Sequence, residues 1–558
     1  MTRIAIIGSG PTGIYALKGL IRSKAPLAIT VYEESPDAGK GTPYHPAVND
    51  RAMLANIASI EIPIIVETLV GWLSARSFDE LQAMGIEHGA IGDREFYPRV
   101  VLGDYLAAQF WSLVALGMAA GHSIDVCASH KVTDIRLGED DITLAVQSGD
   151  GSSSDVVFDH VVMATGHDWP ANTETSPGYF VSPWPASAIR QIGPVSVAVL
   201  GTSLSGIDAV VSIAGAHGIF LRDEEGMLGY QAAKSSDGLK MTMMSRKGLL
   251  PEADFYCPIP YEPLTLCTQD AMARAIAEGP AGLLDKIFEL FRIELAAADP
   301  DYAGHIGLAF ATVEDFSGRY FRDREEAPPF AWAARNLAEA KLNKAGRMTV
   351  QWRYAILRMH EVIAAAIPHL NTEDLDRFHR HFKTVFVDDY ATVPHESIER
   401  LLALHRAKRL KVLGLGEDYG IEKNDAEPGV TVKLGDRTFR FAAFVDATGQ
   451  HPLSASDLPF PSLRQQKVVK EAKTRAGELE GSFKRTGGVD VDDDFRPIIT
   501  TNACRNLYCV SVPFLLHKLP FVQGITSAHQ LGIKVAKAIL EAAGPKEPNA
   551  GAELLSLR

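Results

Sequence analysis

Residues 3–20 read RIAIIGSGPTGIYALKGL: an apolar run, a turn holding three glycines, then the spacing of an amphipathic helix. Gly8, Gly10 and Gly13 fit G-x-G-x-x-G, in which the first glycine makes a tight turn, the second admits a pyrophosphate to the backbone, and the third lets helix pack on strand. Alone the pattern is weak. Its surroundings strengthen it: Arg3 to Ile7 read as a buried strand, and Ile14 to Leu20 as the start of a helix whose free N–H groups face the phosphates. Pro11 and Thr12 complete the turn. A second strand, LAITVYEE, ends at Glu33, where a carboxylate accepts both ribose hydroxyls of an adenosine and repels a 2′-phosphate.

A chain of 558 residues is too long for one core, so several domains are expected. With 46% hydrophobic and 22% charged residues it falls in the ordinary globular range. A formal charge of −14 argues against nucleic acid or an anionic membrane as partner. Cys127, Cys257, Cys267, Cys504 and Cys509 are scattered, with no C-x-x-C pair, which suits a reduced, cytoplasmic setting. The first strand begins so close to Met1 that no signal peptide is expected. No run is read as a membrane span: IEIPIIVETLVGWL comes nearest, and Glu61, Pro63 and Glu67 interrupt it.

VSVAVLGTSLSGIDAVVSIAGAHG repeats the opening design, with Gly201 and Gly206 in the turn, Ser203 where the middle glycine would stand, and Thr202 and Ser205 beside it. The strand that reads the ribose follows a polar stretch, as LKMTMMSRKGLLP, and ends in Ser245, Arg246 and Lys247. A guanidinium and an ammonium there suit a 2′-phosphate, favouring NADPH over NADH. Two further strands end alike, in Ala-Thr-Gly: DHVVMATGHDWP, with Thr165 and Gly166, and AAFVDATGQHP, with Thr448 and Gly449. Paired in this way they mark the two crossings between a flavin domain and an inserted nicotinamide domain.

Between about residues 262 and 410 the apolar spacing is helical, as in AGLLDKIFELFRIELAAA and WRYAILRMHEVIAAAI. Residues 480–500, with DVDDD, read as an exposed loop. The C-terminal part reads as a strand, a loop and a closing helix on which Gly524, Ala528 and Gly532 make one smooth face. That face serves either to pack a helix or, at Gly524, Ile525 and Thr526, to point free N–H groups at a flavin carbonyl.

GKGTPYHP, MLANI, PRVVLGDYL, ATGH, SPWP, VLGTSLSGIDAVVSI, SRKGLLP and RFHRHFKTVF, in this order after the opening fingerprint, resemble the bacterial FAD/NAD(P)-binding proteins. More distantly the chain resembles the class B flavin monooxygenases, flavin-containing and N-hydroxylating. The resemblance implies an α/β fold of two Rossmann-like domains in a glutathione-reductase-like flavoprotein architecture with a helical insertion. Its expected parts are an FAD domain at 1–170 and 451–558, an NADPH domain at 171–261 that returns at 411–450, and a helical segment at 262–410 lining the substrate pocket. It implies FAD on Gly8, Gly10, Gly13 and Glu33, and NADPH on Gly201, Ser203, Gly206, Arg246 and Lys247. Tyr44, Arg99 and Tyr105 fall near the flavin, Asn56 falls beside its C4a, and His167 is a candidate for the cleft between domains.

The implied activity uses NADPH to reduce the flavin, adds oxygen at C4a, and oxygenates a nitrogen or sulfur of a small substrate such as an amine. A reductase without oxygenation and a flavin-binding sensor are the alternatives. Disulfide reductases of similar build carry a cysteine pair soon after the Glu33 position, and SPDAGKGTPYHP has none. Two departures stand out. Ser511-Val512 replaces the Gly-Asp that ends the last strand in related flavoproteins, and VFVDDYATVPHES is acidic where relatives are basic. HRHF at 379–382 has no cysteine or carboxylate cluster at ligand spacing, so no metal site is expected.

Overall fold

A computed structural model describes residues 1–166, 173–424, 427–449, 453–473, 485–499, 503–521 and 524–543. The opening stretch is built as read. β1 (Thr2–Ile7) buries Ile4 to Ile7 consecutively, because it lies inside a parallel sheet covered on both faces. The strand order is Leu507–Cys509, His160–Met163, β1, β2 (Leu27–Tyr32) and Ser123–Cys127, parallel throughout. α1 (Pro11–Leu20) starts on a proline, which gives up no needed N–H at a first helical turn. A three-stranded antiparallel meander, His130–Leu137, Ile142–Ser148 and Ser153–Phe158, completes this domain.

The second fingerprint makes the same construction. Leu410–Gly414, Lys240–Ser245, Ser196–Leu200, Ala443–Asp446 and Tyr179–Phe180 lie parallel in that order, and Glu174–Ser176 is added antiparallel at the edge. The polar stretch before Lys240 is a hairpin, Gly218–Arg222 with Leu228–Ala232. A second meander, Tyr419–Lys423, Val430–Leu434 and Arg437–Phe441, mirrors the first.

The helical stretch divides in two. Pro329–Gly346 and His395–Arg406 place Ala333, Leu337, Ile398, Leu401 and Leu404 in one core with Val197, Val199 and Met243 of the second sheet. His395–Arg406 leads straight into the strand Leu410–Gly414, so it is a crossover helix joining parallel neighbours, and a crossover helix must lie on its sheet. The remaining helices keep a core of their own, where Phe288, Phe291, Phe316, Phe378, Phe382 and Phe386 pack ring against ring. Phe378–Phe382 is a single π-helical turn leading into the helix Lys383–Tyr390. Phe521, from the C-terminal part of the first domain, enters the same core.

Two expectations are corrected. The DVDDD stretch is not a free loop: Val489 and Val491 are buried, and the Asp492 carboxylate accepts the N–H groups of Asp494 and Arg496 at 2.9 and 2.9 Å. Among the described residues one helix, Arg99–Ala119, is long and apolar enough to cross a membrane, although over half of it is buried within the molecule. Its Leu102, Tyr105, Leu106 and Phe110 belong to the core of the first domain.

The C-terminal helix Gly524–Ala543 crosses α1 where neither has bulk. A Cβ on Gly532 would stand 2.6 Å from the Ala16 nitrogen and 2.8 Å from the Thr12 carbonyl. Gly532→Val therefore forces the helices apart, and the loss of stability expected is about 1–3 kcal/mol. A lowered urea midpoint with an unchanged slope checks this.

Candidate functional site

Both fingerprints make the same contact. Gly8 has φ +102° and Gly201 φ +125°, a region side chains avoid. A Cβ on either would strike an alanine carbonyl, Ala164 at 2.3 Å and Ala447 at 2.5 Å, each the alanine of an Ala-Thr-Gly turn. Gly13 and Gly206 in turn face the Gly8 and Gly201 carbonyls, at 2.1 and 2.3 Å from a would-be Cβ, so helix packs on strand as expected. Gly10 looks across at Gly41, whose Cα would be 3.2 Å from a Cβ there. Two glycines thus form the lip of the groove.

That groove is a cavity of about 700 Å³ lined by Gly8, Gly10, Pro11, Thr12, Glu33, Tyr44, Thr165, Gly166 and Gly524 among others. The Glu33 carboxylate is held by the Ser9 hydroxyl at 2.6 Å and by the N–H groups of Ser9 and Ser35 at 3.1 and 3.0 Å. The Ser9 oxygen also accepts the Gly39 N–H at 2.8 Å, which ties the loop after β2 to the fingerprint. Ser511 is buried and bonds the Thr165 hydroxyl at 2.7 Å while donating to the Met163 carbonyl at 3.1 Å. It secures the first Ala-Thr-Gly turn and faces away from the groove that Val512 lines.

A second cavity of about 730 Å³, here called the chamber, adjoins the groove at Pro43, Tyr44 and Gly524. All three parts of the molecule build it. The first domain supplies Asn56, Arg99, Ile525 and Thr526, the second Leu204, Ser205 and Gly449, and the helical part Leu357, His360 and Tyr390. The sequence candidates Tyr44, Asn56, Arg99, Ser205, Gly449, Gly524, Ile525 and Thr526 therefore meet in one space. The Asn56 side-chain oxygen is buried with no hydrogen-bond partner among the described residues. A dinucleotide fits these features: a lip without Cβ atoms, a carboxylate at the end of β2, a helix N-terminus facing the junction, and an unmet amide oxygen beyond it.

Other candidates lie elsewhere or are engaged. Tyr105 is wholly buried and donates to the Glu67 carbonyl at 2.7 Å. Thr202 donates to the Ser245 hydroxyl at 3.1 Å, and Ser203 precedes the helix Leu204–His217 without capping it through its side chain. The Thr448 hydroxyl donates to Asp446 at 2.7 Å. Lys247 is paired with Glu325, whereas Arg246 is exposed and stands 3.8 Å from Glu417, leaving Arg246 the freer of the two. His167 lies outside the described residues.

Arg99 has a partner that the sequence does not announce. Its guanidinium meets Asp208 of the helix Leu204–His217 at 2.6 Å, with both side chains largely buried, so this ion pair bridges the two dinucleotide domains. Burial pushes the Asp208 carboxyl up to about 6, against the pull of Arg99. The chamber also holds four carboxyls, Glu61, Asp254, Glu361 and Asp389, from segments too far apart for any spacing to join. Asp389 belongs to the acidic stretch singled out in the sequence. Burial and then Glu61 push Asp254 up to about 7, while Lys344 and Arg94 pull the other way. Cys257 lines the chamber with no second cysteine among its described walls, and burial pushes its thiol up to about 12. All five cysteines are free. No His, Cys, Asp and Glu group suited to a metal occurs among the described residues.

Residues 5–168 match the FAD-NAD(P)-binding family, and residues 268–390 match the YdhS-like middle domain. Fold, paired fingerprints and family match define a flavoprotein of the oxidoreductase type that binds FAD and NAD(P). The Escherichia coli K12 protein YdhS is 40% identical over 545 residues, 97% of this chain and 98% of that protein. The chain belongs to the YdhS family. Among solved structures it is similar to the ornithine N-hydroxylase of Kutzneria sp. 744, at 14% identity and TM-score 0.47 over 97% of this chain and 99% of that one. The ornithine hydroxylase PvdA of Pseudomonas aeruginosa stands at 11% and 0.48, again over 97% and 99%. The bacillithiol disulfide reductase of Bacillus cereus stands at 12% and 0.43 over the same shares.

The interdomain pair yields a prediction. The unfolded chain releases the Asp208 proton at lower pH than the folded chain, so this group contributes most to stability below about pH 4, and its contribution declines as pH rises to about 6. Asp208→Asn is expected to remove that slope. Asp208→Ala leaves Arg99 without its partner and is expected to cost about 3 kcal/mol or more. Denaturant titrations at a series of pH values check both.

Proposed function

We propose that this protein is an FAD-dependent, NADPH-using monooxygenase that places one oxygen atom on a nitrogen or sulfur of a small substrate held in the chamber. The observation that carries this reading is the convergence of Asn56, the helix start at Gly524 to Thr526, and Ser205 and Gly449 of the second domain on one space. In this reading Gly8, Gly10 and Glu33 would hold the ADP half of FAD, and Gly201 to Gly206 with Ser245 and Arg246 would hold NADPH. When bound, FAD would supply the hydride acceptor for NADPH and the oxygen-activating chemistry.

The chain's own groups do the rest. The N-terminal end of the helix that begins at Gly524 would favour negative charge on a reduced flavin ring. The buried Asn56 side-chain oxygen offers an unmet acceptor there, which can hold a proton-bearing neighbour in place. Ile57, Phe255 and Leu357 give the chamber apolar wall that excludes water. Asp254, ionising near neutrality, can hold or release a proton there. The scattered free cysteines support a cytoplasmic setting, and the substrate and oxygen are the partners expected.

Stopped-flow spectroscopy tests the reading. The protein is expected to be yellow, to bleach with NADPH, and to show a transient absorbance band when oxygen is admitted. Bleaching followed by direct reoxidation makes it a reductase; absence of bleaching makes it a sensor. Gly201→Val is expected to keep the flavin and lose bleaching by NADPH. Asn56→Ala is expected to shorten the transient about tenfold or more, with peroxide released in its place.

A further inference from the structure

The chamber's charges come from every part of the molecule. Glu61 ends the turn Ser59–Glu61 of the first domain, Asp254 follows the strand Lys240–Ser245 of the second, and Glu361 and Asp389 sit on the helices Gln351–Ala364 and Lys383–Tyr390. Glu61 has local support, accepting the Ala58 N–H at 3.0 Å and the Tyr261 hydroxyl at 3.4 Å, whereas at Asp254 the His395 bond of 2.8 Å reaches the backbone carbonyl and not the carboxyl. Asp389 differs. It is 1% exposed, yet both its carboxylate oxygens lack a hydrogen-bond partner among the described residues.

The cation nearest in influence is Arg353, which is ion-paired with Glu252. Among the described residues no hydrogen bond and no ion pair within 4 Å joins Arg353 to Asp389. Among the chamber's described walls the guanidinium is Arg99, and Asp208 holds it. His360, also in the wall, is pushed down to about 4 by burial and so is neutral at ordinary pH. The walls therefore offer acceptors in excess and little to receive an anion. Burial pushes the Asp389 carboxyl well above the usual carboxylate range, with Arg353 pulling the other way, and a donor cation seated against its unmet oxygens would draw it back to the charged form.

We propose that the chamber recognises its substrate through an alkylammonium group that carries no neighbouring carboxylate, seated against Asp389 and Glu361. This rests on the chamber being the substrate site and narrows the substrate class from small nitrogen or sulfur compounds to cationic amines of the diamine kind. The ammonium supplies up to three donors to oxygens that have none, and its charge is matched by several carboxyls at once. A carboxylate on the same carbon frame meets like charge instead, so an α-amino acid is discriminated against.

Calorimetric titration of the purified, flavin-loaded protein tests this with three probes of one length: cadaverine, L-lysine and pentanediol. Cadaverine is expected to bind, lysine to bind about tenfold more weakly or worse, and the diol not to bind detectably. Asp389→Asn is expected to weaken cadaverine about tenfold or more, and Glu361→Gln, at an exposed position, several-fold. Flavin content and NADPH bleaching report whether each variant is folded. If Asp389→Asn fails to fold, Glu361→Gln decides.

Equal binding of the diol or of lysine, or unchanged cadaverine binding in the folded variants, overturns the proposal. The two readings fail separately. Bleaching by NADPH without cadaverine binding removes this inference and leaves the monooxygenase reading, whereas cadaverine binding without bleaching does the reverse.

Discussion

An alanine carbonyl lying against a glycine that has no Cβ is the contact from which the architecture grows, and the chain makes it twice. Ala164 closes on Gly8 and Ala447 on Gly201, each at the end of a strand in parallel register with a fingerprint strand, Met163 beside Ile7 and Asp446 beside Leu200. At the carboxyl end of each sheet two backbones meet with nothing between them. The turns that follow must diverge, and the space they leave is backbone-walled and rich in N–H groups, as a bound pyrophosphate requires. Any side chain at Gly8 or Gly201 would separate the strands and close that space together.

The chamber depends on a further set of contacts, those between bodies. Arg99 to Asp208 is largely buried, and Lys344 to Glu95, at 2.9 Å, joins the helix Pro329–Gly346 to the first domain near the water boundary. An exposed pair of that second kind contributes at most about 1 kcal/mol. The buried pair is different, because separating its members strands a charge in a dry place. Arg99 and Asp208 therefore tie the two dinucleotide domains beside the Arg190–Asp50 pair and the bond from the Ala186 N–H to the Val48 carbonyl at 2.8 Å. Asp208 lies four residues beyond Leu204, which itself lines the chamber, so the tie acts close to the space it shapes.

The sequence disclosed what repeats and what is local. Both fingerprints, both Ala-Thr-Gly turns, Glu33 at the end of β2 and the closing helix were legible because each depends on residues within about one supersecondary unit. The acidic stretch around Asp389 was visible as a departure in charge, without its destination. Ser9 stood inside the fingerprint as its first variable position, and nothing there disclosed that it would bind Glu33 and the Gly39 N–H together. Arg99 with Asp208, and Glu61 with Asp254, are brought together only by tertiary packing, and no periodicity encodes such a meeting. The division of the helical segment was hidden for a related reason: a helix packed on a sheet and one packed on other helices carry the same apolar stripe. Gly532 packs against α1, so the closing helix uses its smooth face for packing there, while Gly524 at its start lines both cavities.

Phe521 gives the helical part a second anchorage. By covalent connection that part belongs to the nicotinamide side, since the chain leaves the second sheet at Ser245 and rejoins it at Leu410. Through one ring, however, it is moored to the flavin side, among Phe378, Phe386 and Tyr390. A wide rotation of one dinucleotide domain would draw that ring into water, at a penalty of about 2 kcal/mol for a phenylalanine. Small sliding displacements leave it seated. Mobility in this flavoprotein is thereby biased toward shear and away from hinge opening, and the roof of the chamber follows both floors at once.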